Sequence, residues 1–408
     1  MSVSRFATAL LAGLMATAAS AQVPAPRPAP LPAAPSAPAA PMPSAPVPKG
    51  KAWILMDHVS GQVLAGENYD TALDPASITK VMTSYVVAAE MANGKMKPTD
   101  SVRISENAWR SGGAGTDGSY SALAINTEVP LDDVLHGLVI QSVNDAAIAL
   151  AEHVAGSEAA FVDLMNAYAK RLGMTRSRFV NAHGLTAEGH AMSARDIAIL
   201  SRALINQFPD HYALYKIKEF TYGGIQQWNR NGLLWKDASV DGLKTGHTDA
   251  AGYCLAASAK RGDQRLISVV LGIDTQSRSE GFKAREEGNL ALLNWGFRFF
   301  ETHSVYEAGK QVAEQKLWRG EADTVALGVA RPVLVTLPRG RYADLKPSMD
   351  VPKQLVAPIR KGQKIGTVRL SLDGKVVAER PLVALADVAE GGFFKRMNDD
   401  FWQWWETE

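Results

Sequence analysis

The order in which apolar patterns follow one another along these 408 residues limits the fold more than any composition does. Residues 53–56 and 62–65 read as two strands joined by a turn at Ser60-Gly61. A block of helical periodicity follows, and between Val240 and Leu271 the pattern returns to strands. Strands, then helices, then strands predict an α+β domain with helices packed on an antiparallel sheet.

The first helix is well punctuated. Asp74 is placed to cap it, Pro75 suits its first turn, and Gly94 lies just past its end. Ile78, Val81, Met82, Tyr85, Val86 and Ala89 recur at helical spacing as its buried stripe. Further helices are expected over 130–140, 145–154, 157–172 (closed by Gly173), from Ser193 onward, and over 290–300. Two apolar segments, 253–259 and 265–271, flank Lys260-Arg261-Gly262-Asp263 and read as a hairpin.

The ends of the chain differ from its middle. Arg5, the apolar run 6–18 and Ala19-Ser20-Ala21 form the pattern of a signal peptide, residues 1–21. Residues 22–49 follow as a linker; eleven prolines between 23 and 48, mixed with alanine and serine, cannot build a core and favour extended conformations. The main domain is expected over 50–303, and a small all-β domain over 304–388, with strands at 333–337, 367–372 and 375–378 and a turn at Asp373-Gly374. In the tail, 389–408, Phe393, Phe394, Met397, Phe401, Trp404 and Trp405 share one helical face, which fits an amphipathic helix lying on a membrane surface, or one docked on the β domain or on another subunit. Acidic residues outnumber basic ones on its polar face, so anionic lipid is not expected to attract it.

Lysine plus arginine (43) balances aspartate plus glutamate (42), which removes a broadly basic, nucleic-acid-binding surface from consideration. The single cysteine, Cys254, permits no intrachain disulfide and sits in a buried-strand pattern. The eight histidines show no ligand-type spacing, so no metal is expected; no cofactor is expected either.

Chemistry is concentrated in three short words. Ser77-Ile78-Thr79-Lys80 opens the first helix, and residues three apart share a helix face, so the Ser77 hydroxyl and Lys80 amine can meet. A serine hydroxyl needs a base, and a lysine becomes one when burial and nearby cations lower its pKa. Ser142-Val143-Asn144 lies between two predicted helices. Lys244-Thr245-Gly246 lies on a predicted strand, where Gly246 leaves room for a substrate backbone along the edge. The three words in this order are the signature of serine β-lactamases and penicillin-binding proteins.

The resemblance extends to His183-Gly184-Leu185, Ser193-Ala194-Arg195-Asp196, Asn229-Arg230-Asn231-Gly232-Leu233-Leu234-Trp235, Lys244-Thr245-Gly246-His247-Thr248 and Trp295-Gly296-Phe297-Arg298-Phe299-Phe300-Glu301. Over about residues 50–395 the chain resembles the D-alanyl-D-alanine carboxypeptidases among the low-molecular-mass (class C) penicillin-binding proteins, peptidase type S11 with a C-terminal β domain. That likeness implies a β-lactamase/transpeptidase-like catalytic domain, stem peptides of peptidoglycan as substrate, acylation by β-lactams, and a periplasmic location with peripheral inner-membrane attachment through the tail. It implies Ser77 as nucleophile, Lys80 as base and Ser142 as proton relay to the leaving D-alanine, with Asn144 on the substrate amide. Lys244 would keep Lys80 neutral by like-charge repulsion, and the backbone N–H groups of Ser77 and His247 would form the oxyanion hole. Thr245, Thr248 and Arg230 are candidates for the terminal carboxylate, and Ser119 for a loop beside the cleft.

Two departures stand out: Val143 where the family more often has glycine, and Cys254 where it usually has a polar residue. Two other functions fit the same words. A D,D-endopeptidase would cut crosslinks, and a silent penicillin- or wall-binding protein would keep the pocket without turnover. A class A β-lactamase is disfavoured, because no loop supplies the added glutamate that rapid release needs.

Overall fold

A computed structural model describes residues 42–113, 119 and 123–407, without the side chains of 403–407. The expected signal peptide, linker residues 22–41 and the Trp404 and Trp405 side chains lie outside the described residues. Chain contacts divide the rest into a larger unit, 42–305 with 334–344, and a smaller one, 306–333 with 345–407.

The larger unit is built on an antiparallel five-stranded sheet of β1 (Ala52–Asp57), β2 (Val63–Glu67), β3 (Val240–Thr248), β4 (Gly252–Arg261) and β5 (Gln264–Ile273), in the order β2-β1-β5-β4-β3. Both faces of its centre are buried, which is why β4 and β5 read as nearly continuous apolar runs. Alternation sorts the side chains: Ile54, Met56, Ala256 and Val269 join one core, Trp53, Leu55, Leu255 and Val270 the other. Helices α1 (Thr79–Ala92), α2 (Asn144–Ala155), α3 (Glu158–Leu172) and α4 (Ala194–Gln207) contribute to the first core, and α5 (Arg278–Phe299) to the second. At about 25 cal/mol per Å² of apolar surface, this two-sided burial is the main force holding the sheet in place.

Local signals mostly hold. Ser157 and Ser193 accept the Ala160 and Asp196 amides as caps, and Gly173 ends α3 at φ +78°. Asp74 does not cap: α1 is entered through a 3-10 turn, Ala76–Ile78, with no side-chain cap bond. The segment expected as one helix over 130–140 divides into Leu131–His136 and a π turn, Gly137–Gln141, which widens the chain just before Ser142. Helix α5 begins at Arg278, well before 290, because its first half buries Gly281, Arg285, Glu286 and Asn289 and so lacks an apolar period. The hairpin turn is only Gly262-Asp263, with Lys260 and Arg261 paired to Arg265 and Gln264.

In the smaller unit six strands pair in the order Lys346–Asp350, Lys364–Leu372, Lys375–Ala384, Thr324–Val329, Gln311–Trp318, Leu355–Val356. Asp373 and Gly374 both take left-handed φ, +51° and +79°, as the expected two-residue hairpin requires. The strand after it continues past 378 to Ala384, running through Pro381 opposite Thr367. The strand Val333–Pro338, read as part of the β domain, pairs instead with Phe300–Tyr306. Helix α6 (Phe393–Thr407) completes this unit. Among the described residues no helix is long and apolar enough to cross a membrane.

Candidate active site

Two non-glycine residues with left-handed backbone mark the site. Ala76, at φ +48°, directly precedes Ser77, and Ser142 itself sits at φ +68°. Such conformations persist only where the surroundings enforce them. For Ala76 the enforcement is visible: Gly184, at φ +89°, packs so tightly on it that a Cβ there would lie 2.0 Å from the Ala76 carbonyl oxygen. Strand β3 closes the other side, where a Cβ on Gly246 would lie 2.8 Å from the Pro75 oxygen and 3.3 Å from the Ser77 nitrogen.

Ser77, Ser119, Ser142, Asn144, Arg230, Thr245, Gly246, His247 and Thr248 all line one cleft of about 810 Å³. Every cleft-wall residue expected from the sequence is therefore there. Lys80 and Lys244 lie beneath it, 1% and 2% exposed.

The Lys80 amine reaches three oxygens: Ser77 Oγ at 3.0 Å, Asn144 Oδ1 at 2.7 Å and the His183 carbonyl at 2.6 Å. Burial, and then the Arg230 charge, bring its pKa down to about 7, against an opposing pull from Asp145. In the neutral form two N–H bonds satisfy Asn144 and His183, and the lone pair is left for the Ser77 hydroxyl proton. Lys244 Nζ donates to the Thr245 carbonyl at 3.3 Å. Its pKa is pushed well below the ordinary lysine value by burial first, then by the Lys80, Arg230 and Arg285 charges. Desolvation is the first cause for both amines, and the repulsion between Lys80 and Lys244 disfavours charging the two together.

The middle loop presents two buried polar atoms with no protein partner, Ser142 Oγ and Asn144 Nδ2. Buried polar atoms are normally paired, so a donor and a hydroxyl left open on a cleft wall are available to a ligand. Ser119 fixes this loop from its main chain, its carbonyl accepting the Asn144 amide at 2.8 Å. Arg230 is held by its Nε bond to the Gln141 carbonyl at 2.9 Å. Val143 is fully buried in the core and absent from the cleft wall, so it does not narrow the cleft. Cys254 is also buried, and burial raises its thiol pKa to about 11, which keeps it protonated and inert.

Two contributors are not assigned from the sequence, although Arg285 is, with Arg298, a candidate for a place near the cleft. The His183 carbonyl is a main-chain atom and carries no side-chain signature. Arg285, buried along the cleft with its guanidinium 4.5 Å from the Phe282 ring centroid, lies in the half of α5 that lacked apolar periodicity. Among the described residues no group of histidine, cysteine and carboxylate side chains could hold a metal ion.

Residues 39–275 match the D-alanyl-D-alanine carboxypeptidase family of peptidase type S11, and residues 300–390 match the C-terminal domain of penicillin-binding protein 5. The chain is 47% identical over 361 residues to the D-alanyl-D-alanine carboxypeptidase DacA of Escherichia coli strain K12, covering 88% of each chain. Its structure is similar to that of penicillin-binding protein 5 from Haemophilus influenzae, with a TM-score of 0.80 and 42% identity over 85% of this chain and 99% of that one. Penicillin-binding protein D2 from Listeria monocytogenes in its cefotaxime-bound form matches with a TM-score of 0.55 and 28% identity, over 62% of this chain and 100% of that one. The chain belongs to the D-alanyl-D-alanine carboxypeptidase family, the class C penicillin-binding proteins of peptidase type S11.

Proposed function

We propose that this D-alanyl-D-alanine carboxypeptidase works through a serine acyl-enzyme, with Ser77 as nucleophile, Lys80 as base and peptidoglycan pentapeptide stems as substrate. The observation that carries the assignment is the 3.0 Å approach of the Lys80 amine to the Ser77 hydroxyl beneath the cleft. The neutral amine takes the Ser77 proton as Oγ attacks the carbonyl carbon between the two D-alanines. The tetrahedral oxyanion is received by the Ser77 and His247 backbone N–H groups. The C–N bond then breaks, the leaving amine gains a proton relayed through Ser142, and D-alanine departs. Water attacks the ester in turn, passes a proton to Lys80, and Ser77 recovers its own as the shortened stem leaves. Asn144 Nδ2 holds the substrate amide, Arg230, Thr245 and Thr248 hold the terminal carboxylate, and Lys244 steers the anionic substrate, with Gly246 giving the peptide room along β3.

A β-lactam would acylate Ser77 by the same attack. The domain assignment, a secreted chain with a proline-rich spacer after residue 21, and a periplasmic location follow the same reading. Residues 43–48 of the expected linker instead pack on the main domain, with the Pro43 carbonyl accepting the Trp295 indole N–H at 3.1 Å and Pro48 buried. The tail supports peripheral membrane attachment: Phe394 is 79% exposed, Phe393, Met397 and Phe401 are exposed beside it, while Asp399 is buried on the Arg319 amide at 2.7 Å.

Labelling by a fluorescent penicillin, with Ser77→Ala as control, tests the assignment. The wild-type protein takes the label and the variant does not; a wild type that stays unlabelled overturns it. Product analysis on a monomeric pentapeptide against a crosslinked dimer separates carboxypeptidase from endopeptidase.

A further inference from the structure

We infer that Glu158 is a positioning residue of the catalytic machinery, acting through the segment Asn181–Leu185 to hold the His183 carbonyl against the Lys80 amine. The inference rests on the assignment of Lys80 as base.

A carbonyl oxygen has no rotamer of its own, so its position is that of the loop carrying it. Residues 180–185 belong to no helix or strand, and no sheet ladder holds them. Two side chains shape the loop from within. Asn181 accepts the Gly184 amide at 2.7 Å and donates to the Leu185 carbonyl at 2.9 Å, and His183 Nδ1 accepts the Leu185 amide at 3.1 Å. These bonds fix its form and leave its place on the scaffold open.

The Val180 amide donates to His190 Nδ1 at 3.0 Å and Gly184 packs on Ala76, while Ala182, one residue before the working carbonyl, is held from two helices. The Ala182 oxygen takes the Thr83 hydroxyl from α1, and the Ala182 amide donates to Glu158 Oε1 at 2.9 Å from the first turn of α3. Because His183 Nδ1 is an acceptor, the ring proton is on Nε2, which faces the same Glu158 oxygen at 3.5 Å. Glu158 therefore meets the loop through the Ala182 amide and also faces the His183 ring. Two adjacent peptide groups are held in series, Ala182 by Glu158 and Thr83, His183 by Lys80.

The groups around this chain define what a pH profile would report. Glu158 faces His183 from the loop and Glu152 from α2; Lys80 faces Arg230, Lys244 of β3, Asp145 of α2 and His183. Burial holds His183 neutral through the working range, with a pKa near 3, so the imidazole does not titrate there. Without the Glu158 acceptor the Ala182 amide is left unpaired, the loop relaxes from Lys80, and water reaches the amine. The amine then regains basicity and is less often neutral near pH 7.

The test is the second-order rate of acylation by a fluorescent penicillin, followed across neutral pH for wild type, Glu158→Ala, Glu158→Gln and Glu158→Asp, with thermal unfolding of each. Glu158→Ala is expected to be at least about tenfold slower at neutral pH, with its acid limb moved up by about one unit. Glu158→Gln keeps an acceptor oxygen and is expected within about twofold of wild type, with an unmoved limb. Glu158→Asp keeps the first-turn charge but withdraws the oxygen; it is expected to lie between them, and decides the matter should Glu158→Ala not fold. A helix-stabilising role alone would lower the unfolding temperature and leave the limb in place, and that result overturns the inference. So does a Glu158→Gln variant as impaired as Glu158→Ala. An unlabelled wild type, or a labelled Ser77→Ala, would instead sink the assignment of the site.

Discussion

Lys80 Nζ stands 3.0 Å from Ser77 Oγ, and the amine is 1% exposed with a pKa of about 7. An amine so placed is close to half neutral at physiological pH, as the proposed role of base requires.

Acylation should therefore follow the neutral amine. Its rate constant is expected to rise with pH along a single limb centred near 7 and to level off above it. The folded value lies below the unfolded value of 10.5, so between those limits the unfolded chain binds the extra proton and stability rises with pH. Relative to Lys80→Met, which has no such proton, the wild-type protein should gain on the order of 3 kcal/mol from neutral pH to about pH 10. Denaturant unfolding of both proteins at the two pH values checks this.

Ser142→Ala should separate activity from stability. The Ser142 hydroxyl is buried with no protein partner, so its loss is expected to change unfolding free energy by less than about 1 kcal/mol. Turnover of a D-Ala-D-Ala peptide should fall at least about a hundredfold if the hydroxyl relays the leaving-group proton. Peptide hydrolysis and urea unfolding, measured on one preparation, give both numbers.

Gly246→Ala probes the seam between β3 and Ser77. Its added methyl would lie 2.8 Å from the Pro75 oxygen and 3.3 Å from the Ser77 nitrogen, forcing the strand from the start of α1. Penicillin acylation is expected to slow by about a hundredfold, since a displacement near 1 Å has that effect on a positioned reaction.

The tail can be tested apart from the cleft. Phe394→Ser combined with Phe401→Ser removes the centre of the exposed apolar face, and should reduce co-sedimentation with lipid vesicles while leaving hydrolysis of a soluble peptide unchanged. The helix cations are already engaged, Lys395 by Asp323 and Asp399 and Arg396 by Glu390, so added anionic lipid should not strengthen binding.

What the sequence disclosed follows from where its signals are local. Ser77 and Lys80 meet because one helical turn brings them together, and Lys244-Thr245-Gly246 lies on a strand whose apolar run is plain. The Gly173 stop and the Ser193 cap are also read from single positions. Asp74 failed as a cap because the tight turn at Ala76 and the packing of Gly184 reshape the entry to α1, and those contacts are distant in sequence. The early half of α5 was hidden because its buried face is Arg285, Glu286 and Asn289, polar groups answering partners elsewhere in the chain. The His183 carbonyl, a main-chain group positioned by Glu158, could be found only from three-dimensional contacts.

The most direct measurement is intact-protein mass spectrometry after brief exposure to a penicillin, with peptide mapping of the adduct. A single adduct on Ser77 that is slow to leave, and is absent from Ser77→Ala, is the predicted result. An adduct on any other residue, or none under conditions where the protein is folded, would contradict the account.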